Sequence, residues 1–229
     1  MRRHHLLLTT LIFAQGASAA EFGGYVALTT DYVKRGVTQS DGNPALQLGG
    51  DVSFANGLFL GAWGSTTDID NGAGRQRDRE VNYYLGYAFD ATKSWRISTH
   101  AVAYEYPGQS GGINYNYREI SIVGSYDDRL WLEFSYSPDL YHSGLSSTNV
   151  DLFAEWPLNN IWSIGAGAGH YDTSNLTGRA YLYWQLGITG SFKWADVDLR
   201  IHDTDTWVPI ISTRDRAKTR LVLKVQIPF

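Results

Sequence analysis

Residues 219–229 read TRLVLKVQIPF. Leu221, Leu223, Val225, Ile227 and Phe229 fall at alternate positions, with Arg220, Lys224 and Gln226 between them. A β-strand sends successive side chains to opposite faces, so this stretch predicts one apolar and one polar face. The apolar face continues to the last residue and ends on an aromatic ring. A soluble strand usually runs on into a polar tail. This ending suits a strand whose outer face meets hydrocarbon.

The same period-two pattern recurs along the chain. It predicts twelve strands near residues 22–33, 45–54, 58–66, 80–89, 95–106, 115–126, 130–137, 148–156, 161–170, 179–190, 194–203 and 218–229. Most are about 9–12 residues long, the length a tilted strand needs to cross a bilayer, whereas globular strands average about 5–6. The connections alternate in length. Tight turns are expected at residues 55–57, 90–94, 127–129, 157–160 and 191–193. Longer loops are expected at 34–43, 67–79, 107–114, 138–147, 171–178 and 204–217. Short periplasmic turns alternating with longer extracellular loops are the habit of outer-membrane barrels. Backbone groups in hydrocarbon must all be paired within the protein, so the first and last strands must close on each other. The expected fold is therefore all-β: a 12-stranded antiparallel transmembrane outer-membrane β-barrel.

The amino-terminal stretch agrees with export. Residues 1–20 combine Arg2 and Arg3, an apolar run over about Leu6–Ala14, and Ala17-Ser18-Ala19. That is the form of a cleaved secretory signal peptide, and its apolar run is too short for a membrane anchor. The expected division is 1–20 signal and 21–229 barrel. The signal holds two of the chain's 19 basic residues and none of its 23 acidic ones, leaving a barrel more acidic than the overall net charge of −4. Such a balance argues against nucleic acid as a partner. Cysteine is absent, which excludes disulfides and thiolate metal sites. Aromatic residues Tyr32, Tyr87, Phe89, Trp95, Tyr126, Trp156, Trp162 and Phe229 fall near predicted strand ends, as interfacial girdles require.

One segment carries a more specific signal. Residues 29–54 read TTDYVKRGVTQSDGNPALQLGGDVSF. Tyr32, Arg35, Gly36, Thr38 and Gln39, followed by Pro44 and Ala45, resemble the amino-terminal motif of the TorF family of porin-like proteins, a bacterial group also described as conserved proteins of unknown function. Further similarity lies in GLFLGAWGSTTD, EVNYYLGY and LRIHDTD, so the resemblance spans nearly the whole predicted barrel. It implies an outer-membrane barrel acting as a channel, with no catalytic residue and no defined substrate. Lys34 departs from the aromatic residue common at that place in the family.

In a barrel the polar face looks inward. The inward set is expected to hold the acids Asp31, Asp51, Glu80, Glu119, Glu133, Asp151, Glu155, Asp196 and Asp198. It also holds the bases Arg96, Arg200, Arg220 and Lys224, with His100 and His202. Charge of one sign along a pore favours ions of the other, so the set points to weak cation preference. The competing reading is that these groups pair across a narrow lumen and fill it, since twelve strands lie between side-chain-filled and open barrels. Two readings also stand for the motif. Lys34 and Arg35 line the mouth on an inward-folded loop, or Arg35 pairs with an acid while Gly36 permits a bend.

Other patterns are weaker. In His202-Asp203-Thr204-Asp205 the residues alternate between faces, so a strand cannot aim them all at one metal ion. His142-Ser143 is the one histidine–serine neighbour in the predicted barrel, too little for the triad of an outer-membrane lipid hydrolase. The alternating glycines of Gly165–Gly169 suit a wall that another group approaches closely. No metal or cofactor is called for. The expected partners are outer-membrane lipid and lipopolysaccharide, the insertion machinery that reads the strand ending at Phe229, and small solutes. The expected function is a channel for passive diffusion, with a non-conducting structural or adhesin-like barrel as the alternative.

Overall fold

A computed structural model describes residues 20–70, 75–108 and 114–229. Twelve long strands form a closed antiparallel barrel: β1 (Ala20–Thr29), β4 (Ala45–Phe54), β5 (Leu58–Asp70), β6 (Arg75–Asp90), β7 (Trp95–Glu105), β8 (Tyr117–Tyr126), β9 (Leu130–Ser137), β10 (Ser147–Pro157), β11 (Trp162–Asp172), β12 (Ala180–Ser191), β13 (Asp196–Thr204) and β14 (Arg220–Pro228). Between β1 and β4 lies a small hairpin of β2 (Val33–Lys34) and β3 (Val37–Thr38). A single helical turn, α1 (Ser174–Thr177), interrupts one loop. Each barrel strand pairs with its sequence neighbours, and β1 closes the ring on β14 from Tyr25 opposite Pro228 to Thr29 opposite Lys224. Phe229 extends the closure: its N–H donates to the Gly24 carbonyl at 2.9 Å.

The polarity of the wall is inverted relative to a soluble protein. In β14, Leu221 is 69% exposed and Phe229 beyond it 77%, whereas Lys224 is 6% and Gln226 8% exposed. β4 repeats the pattern, with Leu46 and Leu48 outside and Ala45 and Gln47 inside. An apolar belt of this extent is unfavourable in water at about 25 cal/mol per Å², and it is stable against lipid tails. The chain thus spans a membrane as a barrel. Aromatics cluster at the short-turn end, where Phe89, Trp95, Tyr126, Trp156, Trp162, Phe192, Trp194 and Phe229 are exposed.

Three sequence expectations need correction. Tyr32 is not in a girdle; it is buried inside the barrel, its hydroxyl donating to Glu80 at 3.2 Å. The first strand stops at Thr29 rather than running to residue 33, because the chain then turns inward: the Tyr32 N–H donates to the Ser40 hydroxyl at 2.9 Å. Residues 67–79 are mostly strand rather than loop, since β5 and β6 continue pairing with Asp68 opposite Arg77. Polar residues suggested a loop, but a ladder that stands clear of hydrocarbon has no need of apolar side chains.

Candidate functional site: a loop folded into the lumen

The loop after β1 does not extend outward. Arg35 (φ 49°) and Gly36 (φ 77°) form the tip between β2 and β3, with consecutive positive φ values of the kind favoured in two-residue hairpin turns. A Cβ at Gly36 would stand 2.5 Å from Thr204 Cγ2 and 2.7 Å from Tyr183 Cβ, so the tip needs glycine for space as well as for conformation. The base is tied by Asp31, which accepts hydrogen bonds from Thr38 and Ser40 and lies 3.4 Å from the Arg220 guanidinium. Asp31 therefore anchors the loop rather than standing on the strand wall.

From this base the hairpin crosses the lumen. Around the ring, β8 is five strands from β1 in one direction and β11 is four strands away in the other. Arg35 reaches both. Its Nη2 donates to the two carboxylate oxygens of Glu119 on β8 at 2.8 and 3.0 Å, and its guanidinium lies 4.5 Å from the centre of the Tyr171 ring on β11. The Lys34 ammonium donates to Glu80 Oε1 at 3.3 Å and to the Tyr117 hydroxyl at 2.9 Å. It also sits 3.6 Å above the Tyr104 ring. Val37 packs with Tyr171, Tyr181, Tyr183 and Val208.

Burial and charge act against each other at this tip. Burial pushes the Lys34 ammonium below its ordinary range, with Glu80 opposing that shift. Burial also works to lower the Arg35 guanidinium, but the Glu119 carboxylate holds it well above its ordinary value. Two further loops close over the hairpin. In the 205–219 loop, Arg216 Nε donates to the Thr38 carbonyl at 3.0 Å and Val208 is fully buried. In the 138–146 loop, Leu140 packs on Tyr106 and Tyr117, and Tyr141 meets the Tyr117 ring edge-on at 5.4 Å.

The other charged side chains named from the sequence lie on the buried parity of their strands. Glu133 is 4.0 Å from His100 Nε2, and Asp151 accepts from the Tyr183 hydroxyl at 2.5 Å. Arg200 is only 1% exposed, its Nη2 donating to Asp198 Oδ2 at 2.8 Å and its guanidinium 5.3 Å from the Phe153 ring. The glycines of β11 admit that packing, since a Cβ at Gly165 or Gly167 would stand 2.8 Å from Phe153. Lys224 lies 5.4 Å from the Tyr25 ring. Asp51, Glu155, Asp196 and Arg96 sit toward the short-turn end, where Arg96 Nε donates to Asp90 at 2.7 Å. His202 shares the inward face with Arg200, while Asp203 accepts from Thr219 and Asp205 from the Leu182 N–H. Ser143 donates its hydroxyl to Leu140 O at 2.6 Å, and His142 lies 3.8 Å from Asp139.

The tyrosines that receive the hairpin were not singled out from sequence, although a signal existed. Tyr117 shares strand parity with the inward acid Glu119, and Tyr104 with the inward Arg96 and His100. Asp90 was likewise read as part of a turn.

Solved structures share this architecture. The KdgM porin in complex with disordered oligogalacturonate superposes with a TM-score of 0.56 at 11% identity, covering 91% of this chain and 99% of that one. The COG4313 outer membrane channel from Pseudomonas putida F1 gives 0.52 at 10% identity, covering 93% and 96%. The CymD monoaromatic hydrocarbon channel gives 0.51 at 10%, covering 93% and 89%. At such identities the likeness is one of fold. No curated protein matches the sequence. A family model described as a bacterial protein of unknown function (Gcw_chp) matches residues 13–226; it does not carry the TorF name that the motif resembles, and it is to this family that the chain belongs.

Proposed function

We propose that the protein is a narrow outer-membrane channel for passive diffusion of small solutes or ions, closed in this conformation by the loop between β1 and β4. The observation behind this reading is the mode of attachment: the hairpin grips the far wall through Lys34 and Arg35 on Glu80 and Glu119. Apolar packing holds a permanent plug as well as buried ion pairs do, and often better. Charged attachments recover hydration on release, so they suit a plug that leaves. Residues 1–20 direct export, the short turns face the periplasm and the long loops face outside. The strand ending at Phe229 is the segment presented to the insertion machinery, and outer-membrane lipid and lipopolysaccharide surround the wall.

The inward acids Asp51, Glu133, Asp151, Glu155 and Asp196 support a weak preference for cations along the lumen beneath the plug. Planar-bilayer recording tests the channel. The wild type should open seldom, and Lys34→Ala with Arg35→Ala should conduct steadily. The alternative, a non-conducting structural barrel, draws on the burial of Arg200 at 1% and Lys224 at 6% exposure, which fill the lumen below the hairpin. Silence from both the wild type and the double variant, inserted and folded, would favour it.

A further inference from the structure

The wall groups that hold Lys34 and Arg35 form a composite site independent of the loop that fills it. Glu80 comes from β6, Tyr104 from β7, Tyr117 and Glu119 from β8, and Tyr171 from β11. Tyr104 and Tyr117 stack with centroids 4.3 Å apart and planes within 8°, and Tyr104 donates its hydroxyl to Glu119 at 3.4 Å. These contacts are made between wall residues and include no atom of the loop. What the loop supplies is one ammonium, one guanidinium and the Tyr32 hydroxyl, which donates to the other oxygen of Glu80 at 3.2 Å. Lys34 Nζ meets a carboxylate, a phenol oxygen and a ring face; Arg35 meets a carboxylate and a ring face. Carboxylates beside electron-rich ring faces select positively charged nitrogen over anions and neutral polyols. An independent feature points the same way. Asn82 donates its amide to Glu80 Oε1 at 2.9 Å, while its buried Oδ1 has no hydrogen-bond partner. That oxygen is a spare acceptor next to the carboxylate, of use to a donor with more N–H groups than Lys34 presents there.

We propose that this patch of the inner wall is a binding site for organic cations bearing ammonium or guanidinium groups, and that Lys34 and Arg35 are the loop's own stand-ins for such a ligand. The loop then acts as a tethered competitor. Tethering gives it a high effective concentration at the site, so a free cation binds weakly until the loop heads are removed. As the site of a transported solute this rests on the channel reading; as a binding site it does not, because occupancy is measurable without conduction.

The test is equilibrium titration of the detergent-folded full barrel with agmatine and putrescine, followed by calorimetry, with glutarate and 1,4-butanediol as anionic and neutral controls. Lys34→Ala combined with Arg35→Ala should tighten agmatine binding by about tenfold or more over the wild type. Adding Glu119→Gln should remove that gain. If the acid-to-amide variant does not fold, Tyr104→Leu in the same background serves, since it removes the ring under the ammonium and leaves the carboxylates. No gain on removing the loop cations, or equal binding of butanediol, overturns the proposal. Binding without conductance in bilayers leaves the site standing and removes the channel. Conductance without selective binding removes the site and leaves the channel.

Discussion

Arg35 and Glu119 are 84 positions apart in sequence, one on a loop tip and the other on the far wall, yet the Arg35 Nη2 bridges both carboxylate oxygens at 2.8 and 3.0 Å. The pair is nearly enclosed, with the two side chains 11% and 3% exposed. Removing one partner from a buried pair costs about 3–5 kcal/mol, because the other charge is stranded. Arg35→Ala and Glu119→Gln should each raise open probability in single-channel records. Arg35→Ala with Glu119→Ala should close more often than Arg35→Ala alone, since neither charge is then stranded. Equal opening in the double and single variants would show that the pair does not hold the loop.

If the hairpin closes the channel as proposed, Lys34 should make that closure depend on pH. Its ammonium, buried beside Glu80, has a lowered pKa in the closed state, whereas a released loop returns it toward 10.5. In the window between those two values the closed state binds fewer protons. Raising pH through that window therefore favours closure, and lowering it favours release. The groups around it are the acids Glu80 and Glu119 and the base Arg35. Open probability should fall as pH climbs from the lowered value toward 10.5, and Lys34→Met should flatten that slope. A slope unchanged in Lys34→Met would assign the effect to another group.

Much of the wall was legible in the sequence, because a bilayer leaves a strand only one workable pattern. The stretch from Leu221 to Phe229 states that pattern outright, and the barrel is the one way to close such strands in lipid. The plug was harder to read. Arg35-Gly36 announces a turn, but nothing local says that the turn points inward, since Glu119 and Tyr171 are remote in sequence. The hairpin lies inside the ring of strands, where Arg35 pairs with Glu119 at a bend made by Gly36. The hairpin of β5 and β6 was misread because charge along residues 67–79 looks like loop when the membrane boundary is unknown.

Phe229 should matter to assembly more than its neighbours do. Its N–H donates to Gly24 and its ring lies against Gly24, where an added Cβ would come within 2.6 Å of Phe229 Cε2. Phe229→Asp loses about 2 kcal/mol of apolar transfer at the point where the barrel seals. The yield of heat-modifiable barrel in the outer membrane should drop sharply, while Arg220→Gln leaves it near wild type. Normal assembly of Phe229→Asp would contradict this role.

The sidedness proposed for the barrel is open to a direct test. The paired ladder of β5 and β6 runs on to Asp70 opposite Arg75, at the end of the hairpin away from the short turns. An epitope tag inserted after Gly72, which lies outside the described residues, should be detected on intact cells, as should a tag in the 205–219 loop. Detection only after the outer membrane is permeabilised would reverse the orientation.

Ion preference turns on how the acids beneath the plug are paired. Asp198 is committed to Arg200 and also accepts from Thr189 at 2.7 Å, so it contributes little free negative charge. Its removal matters in a different way, by stranding a guanidinium that is 1% exposed. Asp196 shares the same inward face and is only half-buried, so its charge acts on the aqueous side. Lumen charge within a Debye length of about 10 Å in 0.1 M salt raises the local cation concentration, and lower salt extends that reach. Reversal potentials in a salt gradient, measured on the Lys34→Ala and Arg35→Ala background, should show a modest cation preference that strengthens at low salt. Asp196→Asn should weaken it, and adding Asp198→Asn should weaken it further by unmasking Arg200. An anion preference before any aspartate is changed would refute the assignment of Asp51, Glu133, Asp151, Glu155 and Asp196 as the charges that ions meet.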